Sequence, residues 1–584
     1  IGSNALAAQD AGADAYNIAI GHNAGTSVTT GSTNTIIGGL AGDALTVGSE
    51  NVAIGDLALS ADTQGSRNIA IGRGALDAQN FTSATNSNNT AVGYDAGSSI
   101  TTGIHNILIG GASGDALTDA DHNIAIGVSA LGADTQGSKS VAVGKAALEN
   151  QNFSSATDSH NVAVGYEAGN DITTGQFNTL LGSLSGDAYT DGDGNTALGY
   201  LALSTDTRGR LNTAVGANAL QTQNFSSSTD SYNVAVGKSA GTSVTTGVEN
   251  TLIGSETGDA LTDADFNTAV GSKALGADTQ GSRSTAVGRN ALKNQNFTSA
   301  TDSDNVAIGY EAGLSITTGT KNTLIGALTG DALTVGASNV AIGRASLSSD
   351  TKGSNSVAIG RNALISQNFT SATDSHNTAV GDKAGEGLTT GVKNIFVGSQ
   401  AGGDSTFTGD NNTIVGYAAG FNLTSGGNNL FLGKQAGRSG SPSGQIVTGS
   451  NVVCLGDDNI TSLHCADTSI SSSDSRDKAD ITDFNIGLNW IKDLRPVTYK
   501  WDKRSWYGTE EEPYGTPDGS KKESKVHIGF LAQEVLKVEK ANGFGDSADT
   551  MLTCNITEDE QRYGMKYERL VPVLVNAIKE LSAK

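Results

Sequence analysis

The chain has 584 residues, with 36 Lys and Arg against 60 Asp and Glu, a formal net charge of −24. That length exceeds what one compact domain usually needs. So acidic a chain repels nucleic acid and anionic membrane surfaces, which excludes DNA and RNA as expected partners. No apolar run approaches the roughly 18 residues of a membrane span, so no membrane insertion is expected. Cys454, Cys465 and Cys554 are an odd set without metal-ligand spacing and read as ordinary thiols. The sequence opens at Ile1 inside a repeat motif, without Met, which suggests a piece of a longer protein.

Composition changes near residue 473. All three Trp, both Met and four of the five Pro lie beyond it. Residues 473–584 hold 17 Lys and Arg and 20 Asp and Glu; the first 472 hold 19 and 40 and so carry nearly all the negative charge. Three regions follow: a repeat from 1 to 433, a neck from 434 to 472, and a C-terminal domain from 473 to 584.

The repeat reads Asn-x-Ala-(Ile/Val/Leu)-Gly, as in Asn17-Ile18-Ala19-Ile20-Gly21. Motif glycines advance by 17, 17, 17 and 21 residues, a superperiod of 72 that runs from Gly21 through Gly93, Gly165, Gly237 and Gly309 to Gly381. Such regularity predicts a solenoid. Short β-branched runs bounded by Asn and Gly predict strands, with Ile18 and Ile20 on one face and Ala19 on the other. A Gly every coil suits a corner with φ > 0. Stacking should align the motif Asn side chains into a hydrogen-bonded ladder. Ser140, Ser284 and Ser356 replace three of them. At about 4.8 Å per coil the stack predicts a rod on the order of 120 Å long. With only small inward side chains, stability must come from coil-on-coil stacking and from packing of rods side by side. The pattern resembles the head repeats of trimeric autotransporter adhesins, which form a trimeric left-handed parallel β-roll with coils shorter than these.

Two features of the repeat invite a functional reading. Asp115/Asp119/Asp121 and Asp259/Asp263/Asp265 gather carboxylates at a density that suits Ca²⁺. The copies at Asp43 and Asp331 lose the later aspartates, which favours solvated turns and no cofactor. The loop Gln-Asn-Phe-(Thr/Ser)-Ser carries the extra four residues and recurs at Phe81, Phe153, Phe225, Phe297 and Phe369. It reads as a Phe tucked over the end of a coil or, alternatively, as a receptor-contact loop.

In the neck, 437–444 is a turn-rich linker followed by one last apolar run, Val452 to Gly456. Beyond 473, Phe484 to Leu494 predicts an amphipathic helix, Arg495 to Trp501 a strand, and His527 to Val535 a strand entering a second helix. A third helix follows Tyr567, with Pro572 in its first turn. Leu570, Leu574, Ala577 and Leu581, spaced 4, 3 and 4, form a seam that packs on its own domain or joins three chains.

Five motifs in this region, Ser473-Asp474-x-Arg476-x-Lys478, Gly487-Leu488-x-Trp490-Ile491, Leu494-Arg495-Pro496-Val497-x-Tyr499, Gly529-Phe530-x-Ala532-Gln533-Glu534-Val535 and Tyr567-Glu568-Arg569-Leu570-Val571-Pro572, resemble the chaperone-of-endosialidase family. The resemblance implies a homotrimeric C-terminal chaperone of phage tail spikes and fibres that releases itself by cutting before the Ser of Ser-Asp-x-Arg-x-Lys. Here that bond is Ser472–Ser473.

The residues support such chemistry. A Ser hydroxyl needs a base, and Lys478, five residues on, reaches Ser473 if the chain turns. Desolvation or a nearby cation such as Arg476 favours a neutral Lys amine. Each chain cuts once, so proximity replaces substrate binding. Asp474 and His527 are weaker assisting candidates. The expected protein is therefore mainly β, a trimeric parallel β-roll rod ending in a small α/β chaperone domain. It is expected to be a virion tail fibre, made in the host cytoplasm, that binds a surface polysaccharide or outer-membrane receptor. A bacterial trimeric adhesin and the distal part of a polysaccharide depolymerase are the alternatives.

Overall fold

Three-residue strands recur once per coil and pair in parallel with the next coil. Ile18, Ala19 and Ile20 stand against Thr35, Ile36 and Ile37, and those against Val52, Ala53 and Ile54. A computed structural model describes residues 1–460, 473, 475–509, 512, 514–557 and 560–584. The chain divides into two units, Ile1–Val335 and Gly336–Lys584. The first unit is solenoid throughout, as the 17-residue spacing predicts. The second begins with further coils, from Val340–Ile342 to Val453–Leu455, and ends in a small domain of helices and two hairpins.

The middle residue of each strand points inward. Ile36, Ala53 and Ala70 are fully buried, whereas Ile18 and Ile20 on the flanks are 52% and 40% exposed. The flanking side chains thus lie outside, and the inner layer is mostly Ala, Leu or Ile; near the end of the solenoid it becomes Phe396, Phe431 and Cys454, larger than the uniformly small inward side chains expected. Leu57 and Leu59 are left-handed, with φ of 61° and 58°. Burying Leu59, worth about 1.5–3 kcal/mol, offsets a cost of about 1–2 kcal/mol for that backbone.

The Asn ladder forms as expected and also reaches the backbone. Asn51 donates its backbone N–H to Asn34 Oδ1 at 3.0 Å, and its Nδ2 donates to the Gly65 carbonyl at 2.9 Å. At a ladder position held by Ser, Gln151 Nε2 donates to Ser140 Oγ at 2.9 Å instead.

A buried carboxylate organises the 21-residue coil. Asp62 Oδ1 accepts from the Gly65 N–H at 2.9 Å and the Phe81 N–H at 3.3 Å, and Oδ2 accepts from Gln79 Nε2 at 2.6 Å. A Cβ at Gly65 would lie 2.0 Å from Asp62 Oδ2, so only Gly fits there. Asp134, Asp206, Asp278 and Asp350 repeat this fully buried position. Phe81, Phe153, Phe225, Phe297 and Phe369 are buried beside them. The Phe is a packing residue, and the receptor-contact alternative fails for its side chain.

The aspartate-rich turns carry local hydrogen bonds. Asp121 Oδ1 accepts the Ile104 N–H at 2.8 Å, and Asp119 accepts from Thr118 Oγ1 at 3.3 Å. Among the described residues no group of three or more His, Cys, Asp or Glu is arranged to hold a metal ion. Asp187 is pushed up to about 6, first by burial and then by Asp171 and Glu167, against a backbone hydrogen bond that lowers it. Burial likewise raises Asp43, Asp115, Asp259 and Asp331, the same turn one superperiod apart. A raised carboxyl binds its proton more tightly folded than unfolded. Its contribution is therefore present at low pH and lost as pH rises from the ordinary 3.8 through about 6. The solenoid is expected to melt at a higher temperature at pH 5 than at pH 7.5, and Asp187→Asn should shrink that difference. A higher midpoint at pH 7.5 would contradict this.

The linker at 437–444 is part of a longer last coil, since Val453, Cys454 and Leu455 pair with Leu430, Phe431 and Leu432, 23 residues earlier. In the C-terminal domain, α1 (Leu488–Asp493) packs on α3 (Leu570–Ser582), and Glu580 Oε2 accepts the Leu488 N–H at 3.1 Å. A Cβ at Gly487 would sit 2.8 Å from Ala577 N, which explains the Gly that opens its motif. Strand Val497–Tyr499 pairs antiparallel with His527–Gly529, which leads into α2 (Ala532–Ala541). Arg495 and Glu534 form a two-pronged ion pair that joins their two motifs. The hairpin Cys554–Ile556 with Tyr563–Met565 docks on α2 through buried Glu539, which accepts the Thr553 N–H at 2.6 Å and the Cys554 N–H at 3.0 Å. Burial, with Glu539 beside it, pushes the Cys554 thiol up to about 12, which makes it an inert packing residue.

The expected seam on α3 is split between two faces: Leu570 and Ala577 turn into the domain, Leu574 and Leu581 outward. Leu570, Val573 and Ala577 are buried in the domain. The exposed stripe is Val571, Leu574, Ile578 and Leu581, at 56%, 44%, 64% and 58% exposure. Only one helix face can meet α1, and Gly487 sets that face against Ala577.

Candidate active site

Ser473 and Lys478 flank a single 3₁₀ turn at Ser475–Asp477. The turn is short and polar, as Asp and Ser favour, and the Lys478 N–H closes it on the Ser475 carbonyl at 3.4 Å. This supplies the reversal that a reach of five residues requires. Lys478 Nζ donates to Ser473 Oγ at 2.7 Å. Both side chains are exposed. The distance falls within the range expected of a nucleophile and its base.

The other candidates are placed differently. Arg476 lies in the turn itself and is exposed. Ser472 and Asp474 lie outside the described residues. His527 is not brought to the pair. Its ring stacks on Tyr499 with centroids 5.6 Å apart and stands edge-on to Trp501 at 6.4 Å. Its Nε2 is buried, 3.4 Å from Glu523 Oε2. These are the contacts of a strand residue packed in an aromatic cluster, and an assisting role at Ser473 has no geometric support.

The remaining motifs build the domain that follows this segment. Trp490 is fully buried. Tyr567 Oη accepts the Phe530 N–H at 3.2 Å, and a Cβ at Gly529 would lie 2.5 Å from that same oxygen. The motifs quoted from the sequence are thus residues that touch one another: Gly487 with α3, Arg495 with Glu534, Gly529 with Tyr567.

Residues 473–544 match the family model described as Chaperone of endosialidase. The match begins at Ser473 itself. Chaperone of endosialidase implies self-cleaving activity of the serine-peptidase type in general, and the chain carries this domain behind a parallel β-solenoid. No curated protein and no solved structure matches the chain.

Sequence reasoning missed Arg562, whose side chain is mostly buried and whose guanidinium makes five hydrogen bonds. Asp458, Ser441 and Ser439 stand more than 100 residues from it and Tyr514 stands 48 away, so no local spacing pointed to it.

Proposed function

We propose that this chain is part of a homotrimeric tail fibre or spike of a virion, made in the host cytoplasm, which attaches to a polysaccharide or outer-membrane component of a host surface. Its C-terminal domain seeds the trimer, aligns the repeats and releases itself by cutting Ser472–Ser473. The observation that carries this reading is the Chaperone of endosialidase match starting at Ser473, with Lys478 Nζ 2.7 Å from the Ser473 hydroxyl.

Ser473 Oγ attacks the carbonyl carbon of Ser472 while Lys478, as the neutral amine, takes the hydroxyl proton. The tetrahedral intermediate expels the Ser473 backbone nitrogen, which accepts a proton from Lys478. An ester between Ser472 and Ser473 Oγ remains, and water hydrolyses it to the Ser472 carboxylate and a free hydroxyl. No cofactor enters. A lysine amine acts as base only when neutral, a form that desolvation favours. Both side chains are exposed in the single chain, and closure of this segment against other copies would supply the desolvation.

Trimerisation draws support from two exposed apolar features. On α3, Val571, Leu574, Ile578 and Leu581 are spaced 3, 4 and 3, the heptad pattern of a coiled-coil seam. On the solenoid, half-exposed Ile107, Ile109, Val380 and Val397 flank their strands. Coils that repeat every 17 and 72 residues make register slips nearly isoenergetic, so a C-terminal seed that fixes register addresses a real folding problem. Light scattering of the Ser473→Ala chain after size exclusion is expected to give the mass of three chains. The mass of one chain would remove the register argument.

A further inference from the structure

Arg562 lies at the turn of the second hairpin of the C-terminal domain, and all five of its N–H donors are engaged. Nη1 donates to Asp458 Oδ1 at 2.7 Å and the Ser441 carbonyl at 2.8 Å. Nη2 donates to Asp458 Oδ2 at 2.5 Å and the Ser439 carbonyl at 3.1 Å. Nε donates to Tyr514 Oη at 3.2 Å, and the guanidinium lies over the Tyr514 ring. The side chains of Arg562 and Asp458 are 18% and 7% exposed.

The receiving groups belong to the last coil of the solenoid. Ser439 and Ser441 sit in its long turn, and the Asp458 N–H closes that turn on the Gly440 carbonyl at 2.7 Å. Two carbonyls and a carboxylate converge on one point and offer only acceptors, a cradle shaped for a planar, five-donor cation. Three more residues of the domain reinforce it. Tyr514 Oη donates to the Ser439 carbonyl at 3.1 Å, Lys503 Nζ to the Asp458 carbonyl at 3.0 Å, and Ser505 Oγ to Asp458 Oδ2.

Ser439, Ser441 and Asp458 precede residue 472, while Lys503, Ser505, Tyr514 and Arg562 follow residue 473. A cut between them severs the chain but none of these bonds. We propose that the C-terminal domain recognises the end coil of its solenoid through Arg562, and that this grip holds the two pieces together after the backbone is cut. Its partner is a coil end that presents two backbone carbonyls and a carboxylate. Cleavage and separation are then two steps, the second set by the Arg562–Asp458 contact. The proposal rests on the self-cleavage reading only for the cut's occurrence in the natural protein.

The test makes the cut independently. A site for an added sequence-specific protease is placed within 461–472 of the full chain carrying Ser473→Ala, and the digested protein is run on native size exclusion at 0.1 M salt. The pieces are expected to co-elute. Arg562→Met in the same chain leaves Asp458 buried without its partner and is expected to weaken retention about 100-fold or more, so that the pieces elute apart. Asp458→Asn, which alters the cradle from the other side with little change of shape, is expected to act in the same direction and carries the test if Arg562→Met does not fold. Parting of the unsubstituted pieces overturns the proposal, and so does full retention in whichever variant folds. Because Ser473 has no hydroxyl here, loss of the grip is read separately from loss of self-cleavage.

Discussion

The Ser473→Ala chain is expected to run as a single full-length species under denaturing conditions, where the unsubstituted chain runs as two. Alanine removes the hydroxyl proposed to attack the Ser472 carbonyl, so the loss should be complete. Lys478→Ala leaves the hydroxyl but removes the amine 2.7 Å from it. Loss of a positioned base slows such a step by roughly 10²–10⁴-fold, enough to leave mostly uncut chain over a normal expression. Ser472→Ala should cut as before, because Ser472 contributes its carbonyl and not its side chain. That variant also tests whether Ser472 is the nucleophile, and Ser473→Ala tests Ser473. Equal cleavage in Ser473→Ala and the parent would remove Ser473 from the mechanism.

The second large effect lies in the solenoid. Gly127 has φ +141°, and a Cβ there would stand 2.2 Å from the Gly144 carbonyl oxygen of the next coil. Gly127→Ala therefore combines a backbone conformation costing about 1–3 kcal/mol with a backbone clash costing at least as much. A loss of roughly 2–6 kcal/mol in that coil is expected, since each coil is supported only by its neighbours. Limited proteolysis should show a new cut near residue 127, and hydrogen exchange should show faster opening of Ile124–Ile126 and Val141–Val143. Unchanged protection there would mean that the glycine column is not what sets the coil spacing. Ala130→Gly, in a column where Ala is fully buried but small, serves as a milder reference.

Much of the solenoid was legible in the sequence because its signals are local and repeated. Asn17 and Gly21 bound one strand, the same pair recurs each coil, and the ladder and corner follow. Which side of the strand faces inward was harder. Ala19 points in and Ile18 and Ile20 point out because alternation lets only the middle residue of a three-residue strand face the core, and that position takes Ile36, Leu108 or Phe396 in other coils. Hydrophobicity alone would have placed the isoleucines inside. The 72-residue superperiod was visible, but its cause was not. Asp62 reaches across 17 residues to Gln79 and across 19 to Phe81, and only the folded coil puts them together.

The C-terminal domain shows the same division. The helices at Ala532–Ala541 and Leu570–Ser582 match the apolar spacing, with Pro572 in a first turn, whereas the first helix begins at Leu488 and not at the expected Phe484. The hairpin Cys554–Ile556 with Tyr563–Met565 was missed, because two three-residue strands around a polar turn carry almost no periodicity. The pairing of Ser473 with Lys478 was anticipated from chemistry plus a turn. His527 was an attractive guess by residue type, yet its strand holds it against Tyr499 and Trp501. Arg562 could not be found from sequence, since its value comes from Asp458, Ser439 and Ser441 meeting it in space.

The most direct test is the intact mass of the chain expressed without substitution, with the new amino terminus sequenced. Two fragments are expected, one ending at Ser472 and one beginning at Ser473. A chain that stays at full length once assembled, or a break at any other bond, would contradict the account.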